Sequence, residues 1–414
     1  MVRRVTDHGA YSNLALRAAL DRAGLEQRDA DLASELTYGT LRRLPALDRA
    51  VGSHLRRPID QAPSGARAAL RLGAYQLLHM RIPDHAAVTE TVGLVVPSER
   101  GFVNAVLRKV AASPPTEPTG STLDAVELRT GLAPWAIREL RGLLRNEAEA
   151  AAAGLAQRAA PTIRANPCRI SVDELEAELE RAGVTVERGR LHEGSFRLPP
   201  PVVPARLPGF RDGRFAIQDE ASAWVVDVLD PHAGELVADV CAGPGGKAAD
   251  IACRSGGVVA SDVGERRAAL VAETATRLGA AVRLLVQDAA RPSLRDGFDR
   301  VLVDAPCTGI GSARRRPELL WRHRRQDVGA LARLQLRIAS AAARLLRPGG
   351  VLVYSACTFP AAETDHVCDA LPQRVPGLRP DPFPGSDGGS VERARLWPHR
   401  HGTDAMFVAR FVRS

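Results

Sequence analysis

The sequence predicts a multidomain chain: an all-α N-terminal domain, a small α+β insert and a doubly wound α/β domain. Three observations lead there. Leucines recur at helical spacing over the first 112 residues. The run Ala111-Ala-Ser-Pro-Pro-Thr-Glu-Pro-Thr-Gly120 then breaks the pattern as a linker. From Val237 onward, short apolar runs alternate with helical stretches, as in a parallel sheet with crossover helices. The expected divisions are 1–112, a linker at 113–120, an insert at 121–205 and the α/β domain at 206–414.

In the first domain Leu14, Ala18 and Leu20, then Leu32, Leu36 and Leu41, then Leu70, Leu72, Leu77 and Leu78 mark apolar helix faces. Gly24, Pro45, Pro58, Pro83 and Pro97 mark the turns. Residues 1–112 hold sixteen basic and eleven acidic side chains, so they carry +5 of the chain's net +8. With a sequence pI near 9.7, this charge favours a polyanionic partner. Lys109 and Lys247 are the only lysines. An arginine bias of that kind also follows from base composition, so it has little functional weight.

A hydrophobic content of 45% and a charged content of 25% are those of an ordinary soluble globular protein. Six cysteines at scattered spacings, without a Cys-x-x-Cys pair, argue against a zinc site or a disulfide framework and for a reducing cytoplasm. No signal peptide opens the chain and no long apolar run suits a membrane, so a cytoplasmic location is expected. His399, His401 and Asp404 lack a further ligand nearby, and no metal is expected.

In the insert, Ser121 is expected to cap a helix and Pro134 to open another running to Leu144. Ala148 to Ala160 is alanine-rich and helical. Thr162 to Asn166 reads as a strand, Ser171 as the cap of a helix from Val172 to Ala182, and Val184 to Val186 as a second strand. Pro199 to Pro204 stiffens the entry to the third domain. Gln218 and Asp219 either line a site or cap the helix Ala223 to Leu229.

The third domain is organised around Val237-Ala-Asp-Val-Cys-Ala-Gly-Pro-Gly-Gly-Lys247, a buried strand, a glycine-rich turn and a helix start. Gly243-x-Gly245-x-x-Ala248 with Asp262 fits a loose dinucleotide fingerprint. A P-loop fails, because Cys241 stands where its first glycine belongs and Ala248 replaces its Ser or Thr. Further strands at 257–261, 282–286, 298–304 and 350–355 lead to Asp262, Asp288, Asp304 with Cys307, and Cys357. In an open α/β sheet these carboxyl ends share one crevice. Acids there suit ribose hydroxyls and an adenine amine better than phosphates, which favours S-adenosylmethionine over a dinucleotide. The cofactor loop is Cys241, Ala242, Gly243, Pro244, Gly245, Gly246 and Lys247, with Asp262 for the ribose, Asp288 for the adenine side and Asp304 near the methyl donor.

The two cysteines point to covalent catalysis. Carbon 5 of a pyrimidine is a poor nucleophile until a thiolate adds to carbon 6. The adduct must later lose a proton and the enzyme sulfur, where a second acid/base group is useful. Arg314-Arg-Arg-Pro317 and Trp321-Arg-His-Arg-Arg325 interleave arginine with an aromatic ring beside this site, which suits single-stranded RNA and a flipped-out base. Arg315, Arg316 and Arg322 are candidate RNA contacts; so are Arg164 and Asn166, although for these two a strand edge facing water is as good a reading.

Asp239-Val-Cys-Ala-Gly-Pro-Gly-Gly-Lys247, Asp304-Ala-Pro-Cys-Thr-Gly309 and Tyr354-Ser-Ala-Cys-Thr358 resemble the motifs of the Sun/Fmu family of RNA 5-methylcytosine methyltransferases. Over most of its length the chain is similar to the bacterial members that act on small-subunit ribosomal RNA and carry a NusB-like N-terminal helical domain. The resemblance implies a Rossmann-like catalytic domain that uses S-adenosylmethionine on ribosomal RNA or an assembling small subunit; a monomer is expected, although the sequence does not give the oligomeric state. It implies Cys357 as nucleophile, Cys307 in product release, Asp304 at the cytosine, and a structural or orienting role for Glu363. Gly243, Ala356, Thr358 and Ala405-Met406 depart from the usual family residues without removing a catalytic atom. Transfer RNA as substrate, or an RNA-binding assembly factor with a vestigial site, are the rival readings.

Overall fold

The computed structural model describes residues 1–199 and 202–414, so Pro200 and Pro201 of the expected stiff entry lie outside the described residues. The chain forms two compact units, Met1–Gln157 with Ala313–Arg324, and Arg158–Ser312 with Arg325–Ser414.

The first unit opens with helices α1 (Val2–Thr6), α2 (Ser12–Ala23), α3 (Gln27–Arg42), α4 (Leu44–Gly52), α5 (Ser64–His79), α6 (Asp84–Gly93) and α7 (Pro97–Ala112). Gly24 ends α2 in the left-handed conformation, and Pro97 opens α7 at its first turn, as the sequence signals require. Leu47, Val51, Leu70, Val88, Val103 and Leu107 form the core between α4 and α7. Leu14 and Leu32, which the apolar pattern places inside, stand 56% and 44% exposed. Helices α8 (Leu123–Thr130), α9 (Pro134–Leu144) and α10 (Ala148–Ala156) follow in the same unit. The cap of α8 is Thr122 rather than Ser121, its hydroxyl accepting from Ala125 N.

The arginine- and tryptophan-bearing segment Ala313–Arg324 packs into this helical unit. Glu318 is fully buried and accepts from Ser12 N and Oγ at 3.0 and 2.6 Å. Trp321 Nε1 donates to the Leu41 carbonyl and Trp135 Nε1 to that of His323, each at 2.9 Å.

The second unit begins with a small antiparallel sheet of order β2-β3-β1-β4, made of β1 (Thr162–Ala165), β2 (Glu187–Arg188), β3 (Ser195–Arg197) and β4 (Phe215–Ile217). Helix α11 (Val172–Arg181) carries a capping box from Ser171 and Glu174 and buries Leu175 and Leu179 against this sheet's Ile163 and Phe196. The strand expected at Val184–Val186 lies one residue further on, at Glu187–Arg188.

Then come α12 (Glu220–Leu229), β5 (Val237–Asp239), α13 (Gly246–Ser255), β6 (Val258–Asp262), α14 (Glu265–Leu278), β7 (Val282–Val286), β8 (Phe298–Asp304), α15 (Arg325–Ala343) and β9 (Leu346–Ala356). These strands are parallel in the order β9-β8-β5-β6-β7. After α16 (Asp365–Arg374) come the short strands β10 (Leu378–Pro380), β11 (Phe383–Pro384) and β12 (Ser390–Val391). Strand β13 (Arg393–Leu396), helix α17 (Pro398–His401) and strand β14 (Met406–Arg413) close the chain, with β14 antiparallel to β9. Both faces of the sheet are covered, which is why its central strands read as continuous apolar runs. The chain runs outward from β5 through β6 to β7, then returns to β8 on β5's other side. That reversal opens a crevice over the carboxyl ends of β5 and β8.

Candidate active site

The loop after β5 is the floor of the crevice. Gly245 lies at φ +106°, and a Cβ on it would stand 2.9 Å from the Val271 Cα on α14. Only glycine fits there without displacing backbone. A Cβ on Gly243, the family's usual alanine position, would meet Asp262 Oδ2 at 2.6 Å. Gly243 N instead donates to that oxygen at 3.1 Å, and Arg267 ties the same turn by donating to Asp262 Oδ2 at 2.9 Å and to the Gly243 carbonyl at 2.7 Å. Asp262 Oδ1 accepts from Gly264 N. Asp262, at the end of β6, is therefore buried and already organises the loop, whereas Asp288, just after β7, is exposed and caps its own turn through Ala290 N.

Lys247, in the first turn of α13, is buried and donates to Asp304 Oδ2 at 2.7 Å. Burial lowers the affinity of its amine for a proton, but the Asp304 carboxylate more than offsets this and holds the ammonium charged above its ordinary range. Ser355 Oγ donates to the other Asp304 oxygen at 2.9 Å. Asp239, at the end of β5, is fully buried, and its Oδ2 has no hydrogen-bond partner among the described residues. Burial and the nearby Asp304 charge push its pKa up to about 7.

Cys307 and Cys357 come from the ends of the adjacent strands β8 and β9, and their sulfurs stand 3.5 Å apart. The contact with Cys357 and burial push the Cys307 thiol well above its usual pKa. Behind the sulfurs, Glu363 accepts from Thr308 N and Oγ1 at 2.9 and 2.7 Å and from Gln335 Nε2 at 2.9 Å.

The loop residues Cys241 to Lys247 and Asp262, Asp288, Asp304, Cys307 and Cys357 thus gather along one sheet edge, as the alternation implied. Arg164 and Asn166 do not. Arg164 is 1% exposed, pairs with Asp250 at 3.0 Å and donates to Gln218 Oε1 at 2.8 Å. Asn166, also 1% exposed, donates to the carbonyls of Gly213 and Leu278. Both hold the small sheet to the core, and the RNA-contact reading of them is corrected. Gln218 serves that network, and Asp219 caps α12 through Ala221 N. Arg322 donates to the Ala10 carbonyl at 2.6 Å and its guanidinium lies 4.6 Å from the Tyr11 ring centroid, so it is engaged within the helical unit. Arg315 and Arg316 are half-buried in the same segment. Cys168 and Cys253 form a disulfide, contrary to the reading of scattered cysteines. Their spacing of 85 residues conceals a tertiary meeting of the β1–α11 loop with α13.

Sequence reasoning missed Asp239, Ser355 and the junction of Thr308, Thr358 and Gln335. The first two stand inside quoted motifs and were legible as polar residues in otherwise apolar strands. Gln335 sits on a helix far along the chain, with no local signal.

The five parallel strands, the antiparallel β14 and the acid-lined glycine cradle over β5 define a Rossmann-like methyltransferase. Residues 226–412 match the family model described as 16S rRNA methyltransferase RsmB/F, and residues 1–112 match that of the NusB family. A putative methyltransferase of Mycobacterium tuberculosis is 41% identical over 99% of this chain and 94% of its own length. The probable ribosomal RNA small subunit methyltransferase B of Bacillus subtilis is 32% identical over 98% and 95%. The crystal structure of PH0851 superposes with a TM-score of 0.88 at 26% identity, covering 100% of this chain and 97% of that one. The chain belongs to the RsmB/F family of 16S rRNA methyltransferases, with a NusB domain at its N-terminus. It is an S-adenosylmethionine-dependent enzyme, and its own residues fit that cofactor: a glycine-rich backbone cradle, a strand-end acid on β6 and a buried carboxylate oxygen, Asp239 Oδ2, without a hydrogen-bond partner among the described residues. Among the described residues no helix is long and apolar enough to cross a membrane.

Proposed function

We propose that this protein methylates carbon 5 of a cytosine in small-subunit ribosomal RNA through a covalent adduct with Cys357. The observation that carries the reading is the pair of thiols 3.5 Å apart, above the Lys247–Asp304 ion pair, at the mouth of the sheet. One thiol alone would be read as a buried structural cysteine; two in contact at adjacent strand ends match addition followed by elimination.

When bound, S-adenosylmethionine supplies an electrophilic methyl group. The glycine loop and Asp262 hold it, and Asp288 stands on the adenine side. The Cys357 sulfur bonds to carbon 6 of a cytosine turned out of its strand, and the electron pair released to carbon 5 would take the methyl group as the donor's sulfonium S–C bond breaks and S-adenosylhomocysteine leaves. Asp304 meets the cytosine edge, its charge fixed by Lys247 and its orientation by Ser355. Loss of the carbon 5 proton to a base then restores the double bond and expels the Cys357 sulfur. Cys307, kept as a thiol in the resting site, donates a hydrogen bond to that sulfur as it leaves. The N-terminal helices, with their +5 charge, supply phosphate contacts, and Arg315 and Arg316 are the segment's candidate RNA contacts.

The test is covalent trapping. Cys307→Ala protein is mixed with S-adenosylmethionine and small-subunit RNA from cells lacking this protein. A protein–RNA band on a denaturing gel that disappears when Cys357 is also replaced supports the reading, and sequencing the attached RNA names the cytosine. A band with Cys357→Ala instead exchanges the two roles. No band with either, together with no 5-methylcytosine formed by the wild type, refutes it in favour of an assembly factor.

A further inference from the structure

The sulfurs are held by a junction that touches neither of them. Glu363 is fully buried, in the short helical turn after Cys357. Its Oε1 accepts from Thr308 N at 2.9 Å and from Gln335 Nε2 at 2.9 Å. Its Oε2 accepts from Thr308 Oγ1 at 2.7 Å and from Thr358 Oγ1 at 3.4 Å, and the two threonine hydroxyls are 2.7 Å from each other. Thr308 and Thr358 are each 1% exposed, and each directly follows one of the two cysteines. Gln335 on α15 also donates to the carbonyl of Pro306, the residue before Cys307. Tyr354 OH, from the strand that ends at Cys357, donates to the Glu363 carbonyl at 2.7 Å and to Gln335 Oε1 at 3.2 Å.

We propose that Glu363 is the positioning residue for both thiols: its carboxylate grips Thr308, the residue after Cys307, and through the Thr308 hydroxyl it holds Thr358, the residue after Cys357, so the loops after β8 and β9 move as one body and the sulfur separation is fixed. The inference rests on the two-thiol reading above. The arrangement is costly unless it is used, because a buried carboxylate needs its full set of donors. Burial pushes the Glu363 pKa up, and the bonds from Thr308 and Gln335 draw it part of the way back. A packed apolar residue would close the same space at lower cost. What a carboxylate adds is simultaneous acceptance from donors on two separate loops. Cys357 adds to carbon 6 and Cys307 donates to that same sulfur as it leaves, so their mutual placement controls the partition between the two halves of the reaction.

The experiment compares Glu363→Ala, Glu363→Gln and Thr358→Val with wild type in the full chain, using tritiated S-adenosylmethionine and small-subunit RNA from cells lacking this protein. Glu363→Ala is expected to lower kcat by about a hundredfold with both KM values nearly unchanged, as for a displacement of about 1 Å at a catalytic group. It is also expected to leave a larger fraction of enzyme trapped as the RNA adduct than wild type shows, because release is slowed with addition. Glu363→Gln keeps an acceptor for Thr308 N and is expected to recover most of the loss. If Glu363→Ala does not fold, Thr358→Val carries the test, with a smaller fall in kcat and a raised adduct fraction. Wild-type kcat in the variant that folds, or a loss that follows only KM or the folded fraction with no change in adduct, overturns the proposal. Absence of 5-methylcytosine with the wild type itself overturns the two-thiol reading instead, so the two failures are distinguishable.

Discussion

Replacing Lys247 with methionine keeps the length of the side chain and removes the only positive charge that the described contacts place against Asp304 Oδ2. At 2.7 Å the attraction between the two charges is about 6 kcal/mol at an effective dielectric of about 20. Burial of both ions takes back much of this, with side-chain exposures of 10% and 28%. Removing one partner of a buried pair costs about 3–5 kcal/mol, and the partly exposed Asp304 sets the expectation near the lower value. The loss should depend on pH. Asp239, whose pKa already stands at about 7, is left beside Asp304 without the cation that lowers it. Its proton affinity rises further, and proton uptake relieves the repulsion between the two acids. The destabilisation is therefore largest near pH 8 and shrinks as the pH falls, by at most about 1.4 kcal/mol per pH unit for one proton. Urea denaturation at pH 8 and pH 6, followed by circular dichroism and tryptophan fluorescence, measures both quantities. A loss below about 1 kcal/mol at pH 8, or one of equal size at both pH values, would refute the buried-pair reasoning.

Cys357→Ala should abolish the RNA adduct and lower methyl transfer at least about a thousandfold, whereas Cys307→Ala should accumulate the adduct; gel analysis and tritium transfer read both. Asp239→Asn should gain stability relative to wild type as the pH rises. The neutral acid's contribution is fully present below its unfolded pKa of about 3.9 and is lost as the pH passes about 7, a loss the amide does not suffer; thermal melts at pH 5.5 and pH 8 that shift equally count against this. Arg164→Met should cost about 3 kcal/mol, the lower end for a broken buried pair because Asp250 keeps its contacts with Arg254, without a matching change in RNA affinity per folded molecule. RNA binding should weaken steeply with salt, and a flat titration between 50 and about 200 mM would remove the charge-based docking argument.

The sheet and its site were legible because their signals are local. Each parallel strand is a short apolar run, each ends at a chemically active residue, and the turn chemistry around Gly243 and Gly245 is specific. The N-terminal helices were legible in number and spacing, but Leu14 and Leu32 show that helical period alone does not say which face is covered. What stayed hidden is tertiary. Arg164 sits in a strand next to Asn166, and an exposed and a buried arginine look the same until Asp250, 86 residues away, is seen to receive it. The Cys168–Cys253 bridge spans 85 residues with no motif at either end. The arginine cluster at 314–325 read as a surface beside the catalytic loop, yet most of it is packed into the helical unit, where Glu318 is fully buried against Ser12. Charged residues are normally a sign of exposure, and that prior fails wherever a partner of opposite charge or a carbonyl is supplied from far along the chain.

The same limit applied to the two cysteines, whose spacing is compatible with either being the nucleophile. A nucleophilic thiol must give up its proton in the site, so it needs a cation near and no anion nearer. Cys307 is disfavoured: its neighbour Cys357, its burial, Glu363 and Asp304 all raise its pKa. Lys247 is the charged amine of the crevice, and Cys357 is among the groups that hold its proton on. A Cys307 thiol kept protonated 3.5 Å away can donate to the Cys357 sulfur. A thiol held above its ordinary range suits the part of the reaction that requires a proton, which is the part the proposal gives Cys307.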